Sequence, residues 1–303
     1  MRILIFIAVS ILAVVAAAAQ MPVPMSGTIN RLEKFKSNFV DARNVDVWLP
    51  AGYSPAKKYA VLYMHDGQML YDAETTWNKQ EWKVDEVAGK LMGDHAVKDF
   101  IVVGVWNNGE YRHSEYFPEK ALAFIPQESR ETIVKFQLKG KPRADDYLKF
   151  LTSELKPYID KTFSTQRDRN NTFIMGSSMG GLISIYALCE YPNIFGGAAG
   201  LSTHLPMISA ERIDLNIDTI AVGFRTYLDK TLPKGDSRRI YFDHGDKTLD
   251  QFYPPLQAKV DVIMKAHNYT GKGWMTRSFP GEDHSEVSWA KRLEIPLRFL
   301  VGK

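Results

Sequence analysis

The chain carries a single cysteine, Cys189, in 303 residues, so an intramolecular disulfide is excluded. It has no zinc-type Cys/His spacing and no H-E-x-x-H helix, so no metal is indicated, and no pattern calls for a cofactor. Cys189 falls in an apolar helical stretch, 182–189, where a buried inert thiol is expected rather than a nucleophile. Neither sign of charge is in excess, with 38 Lys and Arg against 35 Asp and Glu. That balance argues neither for nucleic acid nor for an anionic surface, and no nucleic-acid partner is expected. Internal repeats and low-complexity tracts are also lacking.

Long hydrophobic runs are missing except at the start. Arg2 precedes an almost wholly apolar stretch, 3–15, and Ala17-Ala18-Ala19 before Gln20 offers a small-residue cleavage site. The run is short for a membrane span and lacks a basic stop-transfer flank. Residues 1–19 are therefore expected to be a signal peptide, with export to a periplasm or the exterior and no stable membrane span after cleavage. Residues 20–303 are long enough for one large α/β domain.

Within that domain, 44–49, 59–65, 100–106, 194–201, 239–243 and 274–279 read as strands. Near-continuous apolar runs of this kind fit a sheet covered on both faces. Helical spacing marks 145–163, through Leu148, Leu151, Leu155 and Ile159, and also 252–266. A last helix is expected over 287–300, kinked or restarted at Pro296. Alternating strands and helices imply a mostly parallel central sheet with helices on both faces. Residues 109–144 break the rhythm and read as a lid-like insertion.

The most informative stretch is Thr172-Phe173-Ile174-Met175-Gly176-Ser177-Ser178-Met179-Gly180-Gly181, followed by an apolar helix expected from Leu182. A G-x-S-x-G pentapeptide between a strand and a helix is a nucleophile elbow, whose sharp turn leaves no room for side chains two residues either side of the serine. Ser178 is thus the candidate nucleophile, rather than Ser177. The helix N-terminus behind it supplies free N–H groups where an oxyanion would form.

A serine hydroxyl needs a base, and the base needs an orienting acid, in the chain order serine, acid, histidine. His284 lies in a polar turn after the last strand, where it can reach an elbow at the strands' carboxyl ends. His244 and His267 are weaker candidates for the base. The loop His244-Gly245-Asp246-Lys247-Thr248-Leu249-Asp250 offers Asp243, Asp246 and Asp250 as acids, and the residues alone do not choose between Asp246 and Asp250. Met179 supplies one oxyanion donor, and Gln68, in the loop after the strand 59–65, is the expected second.

The segments YMHDGQ (63–68), IVVGVWN (101–107), RHSEYFP (112–118), GSSMGGLIS (176–184), YPNIF (191–195), DHGDKTLD (243–250) and GEDHSEVSW (281–289) stand in this order. Together they resemble the Putative esterase group of α/β hydrolases, which includes esterase D, enterobactin-type siderophore esterases, feruloyl and acetyl-xylan esterases and the mycolyltransferases. The resemblance implies an α/β-hydrolase fold, Ser178 as nucleophile, His284 as base, the amides of Gln68 and Met179 as the oxyanion hole, and Asp250 in preference to Asp246 as the acid.

The activity expected is that of an exported serine esterase, most naturally one deacylating carbohydrate acetyl or feruloyl esters. The alternatives are a siderophore trilactone esterase, for which Lys135, Lys139, Lys141 and Arg143 would form a basic lid, and an acyltransferase to a carbohydrate hydroxyl. The partner is a small-molecule or oligosaccharide ester. Trp77, Trp82, Trp106, Tyr111, Tyr116 and Trp289 are the aromatics from which a binding cleft would draw.

Overall fold

The computed structural model of the protein describes residues 20–208, 217–235 and 238–303. The expected signal peptide lies outside them. Eight strands form one sheet: β1 (Thr28–Phe35), β2 (Arg43–Leu49), β3 (Ala60–His65), β4 (Phe100–Val105), β5 (Thr172–Ser177), β6 (Gly197–Leu201), β7 (Arg239–His244) and β8 (Trp274–Ser278). Their order is β1-β2-β4-β3-β5-β6-β7-β8. The β1/β2 and β2/β4 pairs are antiparallel and the remaining five are parallel.

Alternation along each central strand divides the core in two. Val61, Tyr63, Ile101, Val103 and Ile174 enter one cluster, while Leu62, Met64, Phe100, Val102 and Met175 enter the other. This is why the strands read as unbroken apolar runs: both faces are dry. Helices α1 (Val84–Gly93), α9 (Glu286–Arg292) and α10 (Glu294–Val301) contribute to the second cluster. The first is built with α4 (Ala144–Lys149), α5 (Lys156–Thr162), α6 (Met179–Glu190), α7 (Ile217–Thr231) and α8 (Pro254–Ala266). The expected insertion folds into short helices, α2 (Arg112–Tyr116), a 3-10 turn Glu119–Phe124, α3 (Gln127–Thr132) and a π turn Ile133–Gln137.

Several boundaries differ from the sequence reading. The helix expected over 145–163 is α4 and α5 joined by a π-helical stretch, Phe150–Leu155. Pro157, in the first turn of α5, has no N–H to return to the preceding turn, and the widened stretch stands just before it. The C-terminal helix breaks at Leu293, not Pro296. Pro296 instead lies in the first turn of α10, where its missing N–H costs nothing. The helix expected from Phe252 begins at Pro254, after a 3-10 turn, Thr248–Phe252.

The topology sets the place of the site. From β3 the sheet grows one way to β4 and from β5 the other way to β6, so the carboxyl ends of adjacent β3 and β5 face a crevice. The loop bearing Gln68 leaves the first strand and Ser178 leaves the second.

Candidate active site

At the end of β5 the chain reverses through Ser178, whose φ of 55° and ψ of −123° lie outside the regions ordinary residues adopt. Such a conformation costs roughly 1–3 kcal/mol and is kept only where its surroundings enforce it. Here they do: the Ser178 N–H donates to the Leu201 carbonyl at 2.9 Å, and the Ser178 carbonyl receives the N–H groups of Gly181, Leu182 and His204. A Cβ on Gly176 would stand 2.7 Å from the Gly180 carbonyl carbon, so the turn closes only with glycine there. Helix α6 follows at once, from Met179 rather than from Leu182.

His284 reaches the same crevice from the loop after β8. Its Nδ1 is 2.6 Å from Asp250 Oδ1. A carboxylate in that bond can only accept, so Nδ1 carries the proton and Nε2 is left as the free base. The ring is clamped edge-on between Trp289, at 5.1 Å between centroids, and Tyr253, at 5.8 Å. The His284 N–H donates to Thr248 Oγ at 3.0 Å, which ties the base to the acid loop.

Asp250 is fully buried and its second oxygen is also occupied. Oδ2 accepts from Gly245 N–H at 2.6 Å and from Ser202 Oγ at 2.5 Å. Ser202 Oγ itself receives Trp289 Nε1 and Arg292 Nη2, at 2.9 and 2.8 Å, so its own proton must go to Asp250. Burial raises the Asp250 pKa, but the bond to His284, the His284 charge and the Ser202 and Gly245 donors outweigh it and hold the carboxyl below its ordinary value. The two acids left open by the residues alone are thereby distinguished. Asp246 does not meet His284: it is a half-buried turn residue that accepts Gly281 N–H at 2.8 Å and pairs with Lys247. Asp243 is buried against Arg292, Tyr241 and the Ser202 N–H.

Met179 is the first residue of α6, so its N–H has no acceptor within the helix. Gln68 is the middle residue of a 3-10 turn, Gly67–Met69, whose closing bond begins only at Met69 N–H to Asp66 O, 2.9 Å. The turn lies flat on β4, because a Cβ on Gly67 would come within 2.4 Å of the Gly104 carbonyl carbon. Asp66, preceding it, has a left-handed φ of 56°.

Beside these donors lies a pair that sequence reasoning did not assign. Arg112, from the insertion, grips both oxygens of Asp66 at 2.7 Å, and Asn107 Nδ2 adds a third bond at 2.7 Å. Burial raises the Asp66 pKa, yet the Arg112 charge and bonds, with Asn107, hold it below the usual carboxylate range. Asp66 Oδ2 is 3.5 Å from where a Cβ on Gly180 would stand, so this carboxylate abuts the start of α6. The segments YMHDGQ and RHSEYFP contain the two partners, but no local spacing could pair residues 46 positions apart.

A cleft of about 580 Å³ opens between the insertion and the segment after β6, lined by Glu110, His113, Glu128, Phe136, Gln137 and Ile208 among others. Among the expected cleft aromatics, Trp82 and Tyr116 are core residues, and Trp106 is bound to Asp46 and covered by Arg31. Trp289 is buried but borders His284, and Trp77 is 83% exposed. The basic insertion residues have local partners: Lys139 with Glu110, Lys141 with Asp146, Arg143 over Tyr111 and Lys135 over Phe136. Cys189 is buried and its thiol is pushed up to about 12. Glu81, Asp85 and Glu86, at the start of α1, are the one group of metal-ligating side chains that comes together among the described residues. Acids in a helix's first turn also suit its dipole. No helix among the described residues is long and apolar enough to cross a membrane.

Known proteins extend this picture. The chain is 24% identical over 174 residues to the uncharacterized protein YjcH of Bacillus subtilis (strain 168), covering 57% of this chain and 60% of that protein. It is 29% identical over 190 residues to an endo-1,4-beta-xylanase/feruloyl esterase of Xylanibacter ruminicola, covering 59% of this chain and 22% of that one. The chain thus spans less than two thirds of either relative. An enterobactin esterase from Shigella flexneri superposes with a TM-score of 0.65 at 15% identity, covering 92% of this chain and 60% of its own, which shows the shared α/β-hydrolase fold. The model of the family described as Putative esterase matches residues 37–299, and the chain belongs to that family.

Proposed function

We propose that the protein is a serine carboxylesterase, with Ser178 as nucleophile, His284 as general base and Asp250 as the acid that orients it. The observation that carries this reading is the 2.6 Å bond from His284 Nδ1 to a fully buried Asp250, in a chain whose Ser178 is held in an elbow. His284 Nε2 takes the Ser178 proton as Oγ attacks the ester carbonyl, and the oxyanion rests on the amides of Gln68 and Met179. The imidazolium then protonates the leaving alcohol. Water, activated by the same imidazole, releases the acid from the acyl-enzyme.

The substrate class we infer is a carbohydrate acyl ester, acetyl or feruloyl. A cleft that mixes carboxylates, amide and hydroxyl groups with the 60%-exposed Phe136 suits a sugar, which offers hydroxyls on its edge and apolar C–H on its face. The Xylanibacter relative, named as a xylanase and feruloyl esterase, fits this direction. Glu110 and Glu128 outnumber Lys139 among the cleft's carboxylates and lysines, and with Lys139 paired to Glu110, Lys141 to Asp146 and Arg143 over Tyr111, the cleft offers little to attract a strongly anionic siderophore. Export through residues 1–19 and a single domain over 20–303 belong to the same proposal, since polysaccharide lies outside the cell.

Ser178→Ala and His284→Ala should each abolish hydrolysis of p-nitrophenyl acetate while the fold, followed by circular dichroism, stays intact. Undiminished turnover by either variant overturns the assignment. Release of acetate from acetylated xylan and of ferulate from feruloylated xylo-oligosaccharide, measured beside a trilactone siderophore, tests the substrate class.

A further inference from the structure

Ser202, the residue after β6, stands behind the acid, fully buried and with a left-handed φ of 42°. Its N–H donates to Asp243 Oδ1 at 2.9 Å, which anchors it to the end of β7. Helix α9 starts just after the base, capped by Ser285, and carries Trp289 and Arg292 three residues apart on one face. Both donate to Ser202 Oγ, so one short segment presents the base and also controls the hydroxyl that touches the acid. Trp289 does this while its ring backs His284, edge-on at 5.1 Å.

An indole N–H and a guanidinium can only donate, and a hydroxyl has two lone pairs and one proton. With both lone pairs filled, Ser202 cannot rotate its O–H away from Asp250 Oδ2. Gly245 N–H completes Oδ2, and Oδ1 is left to His284. Arg292 stands 4.0 Å from Asp250 Oδ2 without displacing His284, because Asp243 offsets its charge through bonds of 3.0 and 3.2 Å. The neighbouring ionisable groups are bound elsewhere. Asp283 takes the Ser285 and Ser288 hydroxyls, Glu286 takes Asn78 Nδ2, and His244 Nδ1 meets the Gly245 carbonyl. Tyr253, on the far side of His284, is kept protonated by burial and bonds His204 Nδ1 at 2.7 Å. Burial in turn keeps His204 neutral, with its pKa pushed down to about 3.

We propose that Ser202 is a positioning residue of the triad: locked as a donor by Trp289 and Arg292, it fixes the Asp250 carboxylate with Oδ1 toward His284 and weakens its pull on the imidazole proton. This rests on Ser178, His284 and Asp250 forming the triad, and adds the relay that sets how strongly the acid acts. A donor draws electron density from the carboxylate, so Asp250 stabilises the imidazolium less than it would with Oδ2 free. His284 therefore stays neutral, and able to take the Ser178 proton, to lower pH.

Ser202→Ala deletes the donor and leaves every charge in place. The pH dependence of kcat/KM for p-nitrophenyl acetate reads the ionisation of the base in the free enzyme. Without the Ser202 proton, Asp250 should hold the imidazolium more tightly and raise the acid limb by about one pH unit, about a tenfold loss of kcat/KM well below the limb. With the carboxylate less firmly aimed, kcat on the plateau should also fall, by about three- to tenfold. A side chain with a merely structural role would lower the plateau and leave the limb where it was. Arg292→Lys keeps a cation on Asp243 but has no fork to reach Ser202 as well. It should move the limb the same way by a smaller amount, which gives an independent reading if Ser202→Ala folds poorly. A limb that stays or falls in folded Ser202→Ala, or in Arg292→Lys where only that variant folds, overturns the proposal whatever happens to kcat. An Asp250→Asn protein with the wild-type plateau refutes the triad itself, a different failure.

Discussion

Replacing Asp250 by asparagine changes one atom and removes one charge, and the structure dictates how the new amide must turn. The side chain meets three donors: His284 Nδ1–H at Oδ1, and Gly245 N–H and Ser202 O–H at Oδ2. The Gly245 donor is fixed by the backbone, and the Ser202 proton has no other outlet because Trp289 and Arg292 already fill its oxygen. An NH₂ placed toward Gly245 would set donor against donor in a fully buried site, a cost of roughly 1–3 kcal/mol. The amide therefore keeps its oxygen on that side and turns its NH₂ to His284. Nδ1 must then accept, the imidazole proton moves to Nε2, and the base loses the lone pair it needs for Ser178. Loss of the tautomer and of the charge that stabilises the imidazolium should lower kcat by about 10³–10⁴, equivalent to about 4–5.5 kcal/mol, with KM little changed. Steady-state hydrolysis of p-nitrophenyl acetate at neutral pH measures this directly. Asp246→Asn is the matched control, because that half-buried side chain binds the turn at Gly281 and Lys247 and not His284. An Asp250→Asn enzyme within tenfold of wild type, or an Asp246→Asn enzyme that is the slower of the two, refutes the reasoning.

Other outcomes follow from the same geometry. Arg112→Met leaves the Asp66 carboxylate unscreened beside the start of α6, where it repels a developing oxyanion. At an effective dielectric of 20 such a charge about 6–8 Å away is worth about 2–3 kcal/mol, so kcat should fall roughly 30- to 150-fold. Asp66→Asn added to Arg112→Met should restore most of that loss, and a double variant no faster than the single counts against the account. His65 is buried, bonded through Nδ1 to Tyr147 and pushed by desolvation from an ordinary 6.5 to about 3. The unfolded chain takes up this proton first as pH falls, so the stability it confers is complete above pH 6.5 and lost down to pH 3. Relative to His65→Gln, the wild type should lose about 1.4 kcal/mol per pH unit inside that window, measured by urea unfolding at successive pH values, and parallel curves would contradict it.

Much of the site is local chemistry and was legible in the chain. The elbow at Gly176-Ser177-Ser178-Met179-Gly180 is a contiguous turn, and β3, β4 and β5 are short, largely apolar runs buried along their whole length. Strand β1 was not legible, because an edge strand with alternately exposed and half-buried positions carries no apolar pattern. Helices α1 and α7, also not named from the residues, became evident only with the fold. Backbone bonding set the boundaries at Met179, Pro254 and Leu293, where propensity alone is nearly neutral.

Sequence by itself determined the class of chemistry, since strand, glycines, serine and a later histidine in that order leave few other arrangements. It also narrowed the acid to a short loop and named both expected oxyanion amides. The family resemblance favoured Asp250 over Asp246, and the tertiary structure has Asp250 and not Asp246 meeting His284, because a carboxylate's partner is set by distance and burial rather than by neighbours in the chain. Tertiary structure alone brought Arg112 to Asp66 and Tyr253 to His204, pairs 46 and 49 positions apart. A hydrogen bond acts over about 3 Å, and only the folded sheet's carboxyl edge brings residues from such separate segments of the chain within that range.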